Sequence, residues 1–131
     1  MMQYIQGISR YQLHVASLDD TISQDNPVRF IDAFVNSIEL ERVGFQPKVL
    51  KSEGRPSFET QLFLKIYLYG YLNGIRSSRK LEKECLRNLE LQWLTETLRP
   101  NYHSIADFRK DNPKALKQLF KLFVTFISIT P

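Results

Sequence analysis

Between Ser57 and Gly74 the chain carries the block FETQLFLKIYLYGYLN, in which apolar residues stand on most sides of any helix drawn through it. The alternation of Phe63, Lys65, Tyr67, Tyr69 and Tyr71 also fits a strand, and the aromatic content favours one. Length decides between them, since about 15 residues between good caps exceed an ordinary strand. Ser57 is placed to cap a helix running from Phe58 to about Asn73, with Glu59 in its first turn and Gly74 just past its end.

The rest of the chain repeats helix signals. Asp25, Asn26 and Pro27 set an Asn cap before a proline at the first helical position, where the missing N–H costs nothing. Val28, Ile31, Phe34, Val35 and Ile38 then give a helical stripe that ends near Leu40, before Gly44. Lys48 to Pro56 reads as a polar loop. Ser77 or Ser78 caps a helix to about Asn88, and a short helix from Leu89 to Glu96 carries Trp93. Another runs from Ser104 to Lys110, with His103 before it or capping it. Asp111, Asn112 and Pro113 repeat the start signal, and Leu116, Leu119, Phe120, Phe123 and Ile127 form the apolar face of the last helix. The expected fold is all-α: a compact domain of about five to six helices over residues 25–131, containing a helix-turn-helix-like unit. An extended arm over residues 1–24 precedes it, with at most a short helical turn around Ser17 to Ile22. At 131 residues, of which 43% are hydrophobic, one domain with a real core is expected.

Charge is unevenly placed. The net +4 resolves into −3 over residues 1–45 and +7 over residues 46–131. Arg76, Arg79, Lys80, Lys83 and Arg87 recur at spacings that put them along one side of a helix, opposite Leu81 and Cys85. A long apolar helix, the Gly74 to Ser77 turn and a basic amphipathic helix have the layout of a helix-turn-helix. Phosphates require a line of cations, and base edges require Arg forks or small polar groups near the helix start. Arg76, Ser77, Ser78, Arg79 and Lys80 supply both. A solvated face, held by pairs such as Glu84 with Lys80, accounts for the same pattern, and charge alone does not choose between the two.

Other chemistry finds little support. His14 and His103 are far apart and neither neighbours Cys85, so no metal or other cofactor is expected. Cys85 falls among inward residues and reads as an inert small hydrophobe. As a single cysteine it can form no disulfide within the chain, which makes a reducing cytoplasm the default. Asp19 with Asp20 lie in a loop, and Asp107 with Asp111 stand one turn apart, serving helix starts. Trp93, Tyr67, Tyr69 and Tyr71 read as core; a stacking platform for single-stranded bases requires them to be exposed in a basic groove. The longest apolar stretches fall far short of a membrane span, and the N-terminus lacks the pattern of a secretory signal.

The runs LDDTISQDNPVRFIDAFV (18–35), GRPSFETQLFLKIYLYGYLNGIRSSRKLEKECLRNLELQWL (54–94) and SIADFRKDN (104–112) closely resemble the N-terminal domain of bacterial insertion-sequence transposases of the DDE class. The resemblance extends from about Leu18 to Phe126 and is most specific from Gly70 to Leu94. It implies binding of double-stranded DNA at the terminal inverted repeats through the helix at Arg76 to Arg87, with Arg55, Arg109 and Lys110 as secondary contacts, in the bacterial cytoplasm at the nucleoid. In such proteins the metal-binding aspartates and glutamate lie in a following domain. No residue here matches them, so this chain is expected to have no catalytic residue and no activity of its own. Leu122, Val124, Phe126 and Ile129 fall off the main stripe of the last helix, which implies docking to a domain outside this chain or self-association as a homodimer. An interaction or oligomerisation domain, as in a truncated transposase acting as a regulator, is the alternative function.

Overall fold

A computed structural model describes residues 3–46 and 58–129. Among these residues there are seven α-helices and no strand: α1 Pro27–Ser37, α2 Leu40–Val43, α3 Thr60–Asn73, α4 Ser78–Arg87, α5 Leu89–Leu94, α6 Tyr102–Asp111 and α7 Pro113–Ile129. The all-helical expectation holds, and the helix beyond the expected six comes from a break in the first stripe. The Ser37 hydroxyl donates back to the Phe34 carbonyl at 2.8 Å, competing for the backbone as serine does. Ile38 and Glu39 become extended, and α2 starts anew. Gly44, at φ 111°, closes α2 in the left-handed region and turns Phe45 into the core.

Every residue from Leu62 to Gly70 is buried, so α3 is the axis of the domain. α1 and α5 pack against it and against each other, and α4 bridges α5 and α6. Full burial of Leu64, Ile66 and Leu68 contributes about 1.5–3 kcal/mol each relative to exposure. The one cation in this block, Lys65, is only 9% exposed and donates to Asp32 of α1 at 2.7 Å. Pairing is what makes a charge tolerable at that depth. Aromatic rings join the remaining elements. Phe108 of α6 stacks on Phe63, with centroids 4.9 Å apart, and on Phe45 at 5.8 Å, while Phe123 of α7 meets Phe34 of α1 edge-on at 5.0 Å.

The N-terminal segment is exposed at first and joins the core at Ile22. Residues 3–17 are exposed and lack regular structure apart from a turn at Ser9–Gln12. A single 3-10 turn, Leu18–Thr21, follows. It is clamped by Arg29, which donates to Asp19 Oδ1 at 2.8 Å and to the Ile22 carbonyl at 2.7 Å and lies over the Trp93 ring. Hydrogen bonds from Arg29 and then Trp93 hold the Asp19 carboxyl below its usual range.

Several expectations need correction in the second half. Tyr71, read as core, is 52% exposed. Asn101, not His103, caps α6: its side chain accepts from the Ser104 amide at 2.9 Å, so the helix begins at Tyr102 and His103 lies exposed in its first turn. In α7, Ile127, expected in the buried stripe, is 41% exposed, and Phe126, expected off it, is equally exposed yet packs its ring on Phe30 and Phe34, with centroids 5.2 and 5.3 Å away. The proposed caps and loop at Lys48 to Ser57 lie outside the described residues. No described helix is long and apolar enough to cross a membrane.

Candidate nucleic-acid interface

The basic helix is positioned from beneath by glycine chemistry. Gly74, at φ 70°, ends α3, and the Ile75 amide donates back to the Gly70 carbonyl at 2.8 Å. A Cβ on Gly70 would stand 2.5 Å from the Ile75 carbonyl oxygen, so only glycine lets the turn fold this closely over α3. The Lys80 amide then donates to Ser77 Oγ at 3.3 Å, which makes Ser77 the N-cap of α4 and engages its hydroxyl locally. Ser78, the first helical residue, is half-buried.

At 3.6 residues per turn, Arg79, Lys80, Lys83 and Arg87 fall within an arc of roughly 100°, and all are exposed. Leu81 and Cys85 occupy the opposite arc and are completely buried. Burial, with the negative charges of Glu82 and Glu84 as smaller causes, pushes the Cys85 thiol up to about 12, so it stays protonated and unreactive. Arg76 is exposed at the end of the turn. The carboxylate of Glu84 accepts from Arg87 at 2.6 and 2.8 Å and from Asn88, not from Lys80. Lys80 and Lys83 have no ion pair among the described residues.

A chain of polar contacts ties this helix to the core. Asn88 ends α4 and caps α5, accepting from the Leu91 amide at 3.1 Å. Its amide donates to Glu84 and to the Tyr69 hydroxyl, which in turn donates to Glu90 at 2.9 Å; Glu90 also accepts from Asn26, the cap of α1. Burial, reinforced by the acceptor Glu90, raises the Tyr69 phenol to about 12.

The structure also brings α6 to the same surface. Glu82 accepts from the Tyr102 amide at 2.7 Å, locking the start of α6 onto α4. The Arg79 guanidinium lies over the Tyr102 ring, 4.2 Å from its centroid, and Arg109 donates to the Arg76 carbonyl at 3.4 Å while covering the Tyr67 ring. Arg109, assigned a secondary role, thus adjoins the main row. Lys110 is exposed on α6, and Arg55 lies outside the described residues. Sequence reasoning missed Gly70, Tyr102 and the exposed lysines Lys114, Lys117 and Lys121 of α7. The lysines were detectable from their i, i+3, i+7 spacing.

Among the described residues no group of three or more His, Cys, Asp or Glu side chains is arranged to hold a metal ion. Neither a curated protein nor a solved structure matches the chain. The family described as Transposase domain (DUF772) matches it over residues 16–111, from the clamped 3-10 turn through the end of α6 and so across α4 and α6. With more than half of its length inside that match, the chain belongs to the DUF772 transposase domain family.

Proposed function

We propose that this domain binds duplex DNA through α4, with the turn and α3 beneath it serving as a helix-turn-helix-like unit, and that it serves a transposase of the DDE class by holding the element's ends. The observation that carries the reading is the row Arg79, Lys80, Lys83 and Arg87, exposed on one side of a helix whose other side is sealed into the core, with Arg76 exposed in the turn just before it. Rigid placement of cations along a line is what a phosphate backbone requires. With Ser77 engaged as a cap and Ser78 half-buried, the Arg79 fork is the best placed group for a base edge.

The chain itself is a binding module without strand-transfer chemistry. Supporting this, the Asp19 carboxylate is engaged by Arg29 and Trp93, Asp20 accepts from the Ser17 amide, and Asp107 and Asp111 are exposed on α6. Replacing Arg79, Lys80 and Lys83 together with Ala is expected to weaken duplex binding and to flatten the slope of log K against log salt by about 2 to 3, at about 0.9 for each lost phosphate contact. Equal binding by parent and triple variant at every salt concentration would falsify the assignment. A second reading, self-association of two copies through α7, is favoured by its exposed Leu122, Val124, Ile127 and Ile129. Light scattering that shows a monomer at all concentrations excludes it.

A further inference from the structure

Where α3, the Gly74–Ser77 turn, α6 and α7 meet, the surface sinks into a groove of about 300 Å³, a volume at the lower end of ligand sites of about 300–1,000 Å³. Its lining divides by chemistry. One wall is an aromatic pair, Tyr71 and Phe120, with rings stacked 5.2 Å apart and nearly parallel at 28°. Tyr71 is 52% exposed, while Phe120 is half-buried and packs against the core, so the pair meets solvent through Tyr71. Opposite stand Arg76 and Arg109, both exposed and joined through the Arg76 carbonyl. Neither guanidinium has an ion pair among the described residues. A purely apolar ligand would engage only the rings, and a simple anion only the cations. A nucleotide satisfies both, because every base has a face that stacks and every phosphate accepts from an Arg fork.

We propose that this groove holds an unpaired nucleotide of a bound DNA strand, its base stacked on Tyr71 and Phe120 and its phosphate between Arg76 and Arg109. A strand is favoured over a free nucleotide because the groove is continuous with longer lines of charge. Arg76 leads into the row on α4, and Lys117, one turn before Phe120, belongs with Lys114 and Lys121 to the exposed cationic side of α7. This assignment rests on the DNA-binding reading of α4 and is tested separately from it.

The experiment compares a blunt duplex, the same duplex with a short single-stranded overhang carrying a fluorescent adenine analogue, and adenosine monophosphate as competitor. The overhang duplex is expected to bind about 5- to 150-fold more tightly than the blunt one, the range that stacking of a single base supplies, with quenching of the analogue. Phe120→Leu and Tyr71→Leu, which keep apolar bulk but lose the stack, are expected to abolish the preference and leave blunt-duplex binding at the parent's level. Lys83→Ala is expected to weaken both duplexes by the same factor. Equal binding of the two duplexes by the parent, with the analogue unquenched, overturns the proposal. So does competition by adenosine monophosphate as effective as that of the overhang duplex, since it would make the groove a mononucleotide site. Quenching by the overhang strand without any blunt-duplex binding would support the groove and remove the duplex role of α4.

Discussion

Two consecutive helices joined by a short turn, α3 and α4, show how differently neighbouring segments of one chain are held. α3 starts without a side-chain cap and is buried through every residue from Leu62 to Gly70. α4 is capped at both ends by Ser77 and Asn88, buries only Leu81 and Cys85, and turns its cations to water. Burial holds the first helix in place, whereas local hydrogen bonds and a narrow apolar seam hold the second. A surface built this way can vary its charges with little effect on the fold, which is the property a recognition helix needs.

The largest contrast is in stability. Leu64→Ala in α3 removes a completely buried side chain and is expected to lower the unfolding free energy by about 2–5 kcal/mol in denaturant titration. Lys83→Ala in α4 is expected to stay within about 0.5 kcal/mol of the parent while weakening DNA binding. If Lys83→Ala destabilises the domain as much as Leu64→Ala does, the two helices do not divide the work as described.

The inner side of α4 provides a pH test of the same division. The Cys85 thiol has an ordinary pKa of 9.0 that folding raises to about 12, so the folded state binds its proton more tightly than the unfolded state does. Its contribution to stability is therefore complete below about pH 9 and is lost as the pH rises toward 12. The fall in unfolding free energy over that window is expected to be smaller in Cys85→Ala than in the parent, and native Cys85 is expected to resist alkylation at neutral pH. An unchanged alkaline slope in the variant would show that α4 is not sealed at this position.

These two helices were also unequally legible in the sequence. The inward and outward sides of α4 follow from spacing alone, because an amphipathic segment declares its orientation through the positions of Leu81, Cys85 and the five cations. α3 could be recognised as a helix by its length and Gly74, but a segment apolar on most sides carries no information about which neighbour it meets. That is why Gly70, where an added Cβ would stand 2.5 Å from a carbonyl oxygen five residues on, was invisible. Contacts between elements were equally hidden. Nothing local ties Arg79 to Tyr102 or Arg109 to Arg76, since each pair joins segments that only the fold brings together. The break after Ser37 was missed for another reason: the apolar stripe continues through Ile38 although the backbone does not.

Capping gives a smaller but cleaner contrast. Ser77→Ala removes the acceptor for the Lys80 amide and is expected to cost about 1 kcal/mol, read as a shift in the denaturation midpoint. Glu59→Ala, at the corresponding position of α3, where no side-chain cap bond exists, is expected to change stability by less than about 0.5 kcal/mol. Equal losses at the two positions would mean that α4 does not depend on its cap more than α3 does.

The smallest effect distinguishes cations within α4 itself. Arg87 and Lys83 lie on the same exposed side, but Arg87 is bridged to Glu84 at 2.6 Å, while Lys83 has no ion pair among the described residues. Hydrogen bonds from Asn88 and then Arg87 hold the Glu84 carboxyl below its usual range, so it is ionised at neutral pH. A phosphate approaching Arg87 thus meets a charge already offset by its neighbour, and contact requires the bridge to open or to be shared. Since exposed pairs contribute about 0.2–1 kcal/mol, Arg87→Ala is expected to change stability by no more than that. It is also expected to reduce the salt slope of duplex binding by clearly less than Lys83→Ala does, the latter losing about 0.9. Glu84→Gln, which keeps the shape of the side chain but frees Arg87, is expected to raise affinity slightly and to bring the effect of Arg87→Ala up to that of Lys83→Ala. Equal slopes for the two single alanine variants would show that the Glu84 bridge does not restrain Arg87 when DNA is present, and that the row acts as a set of independent charges.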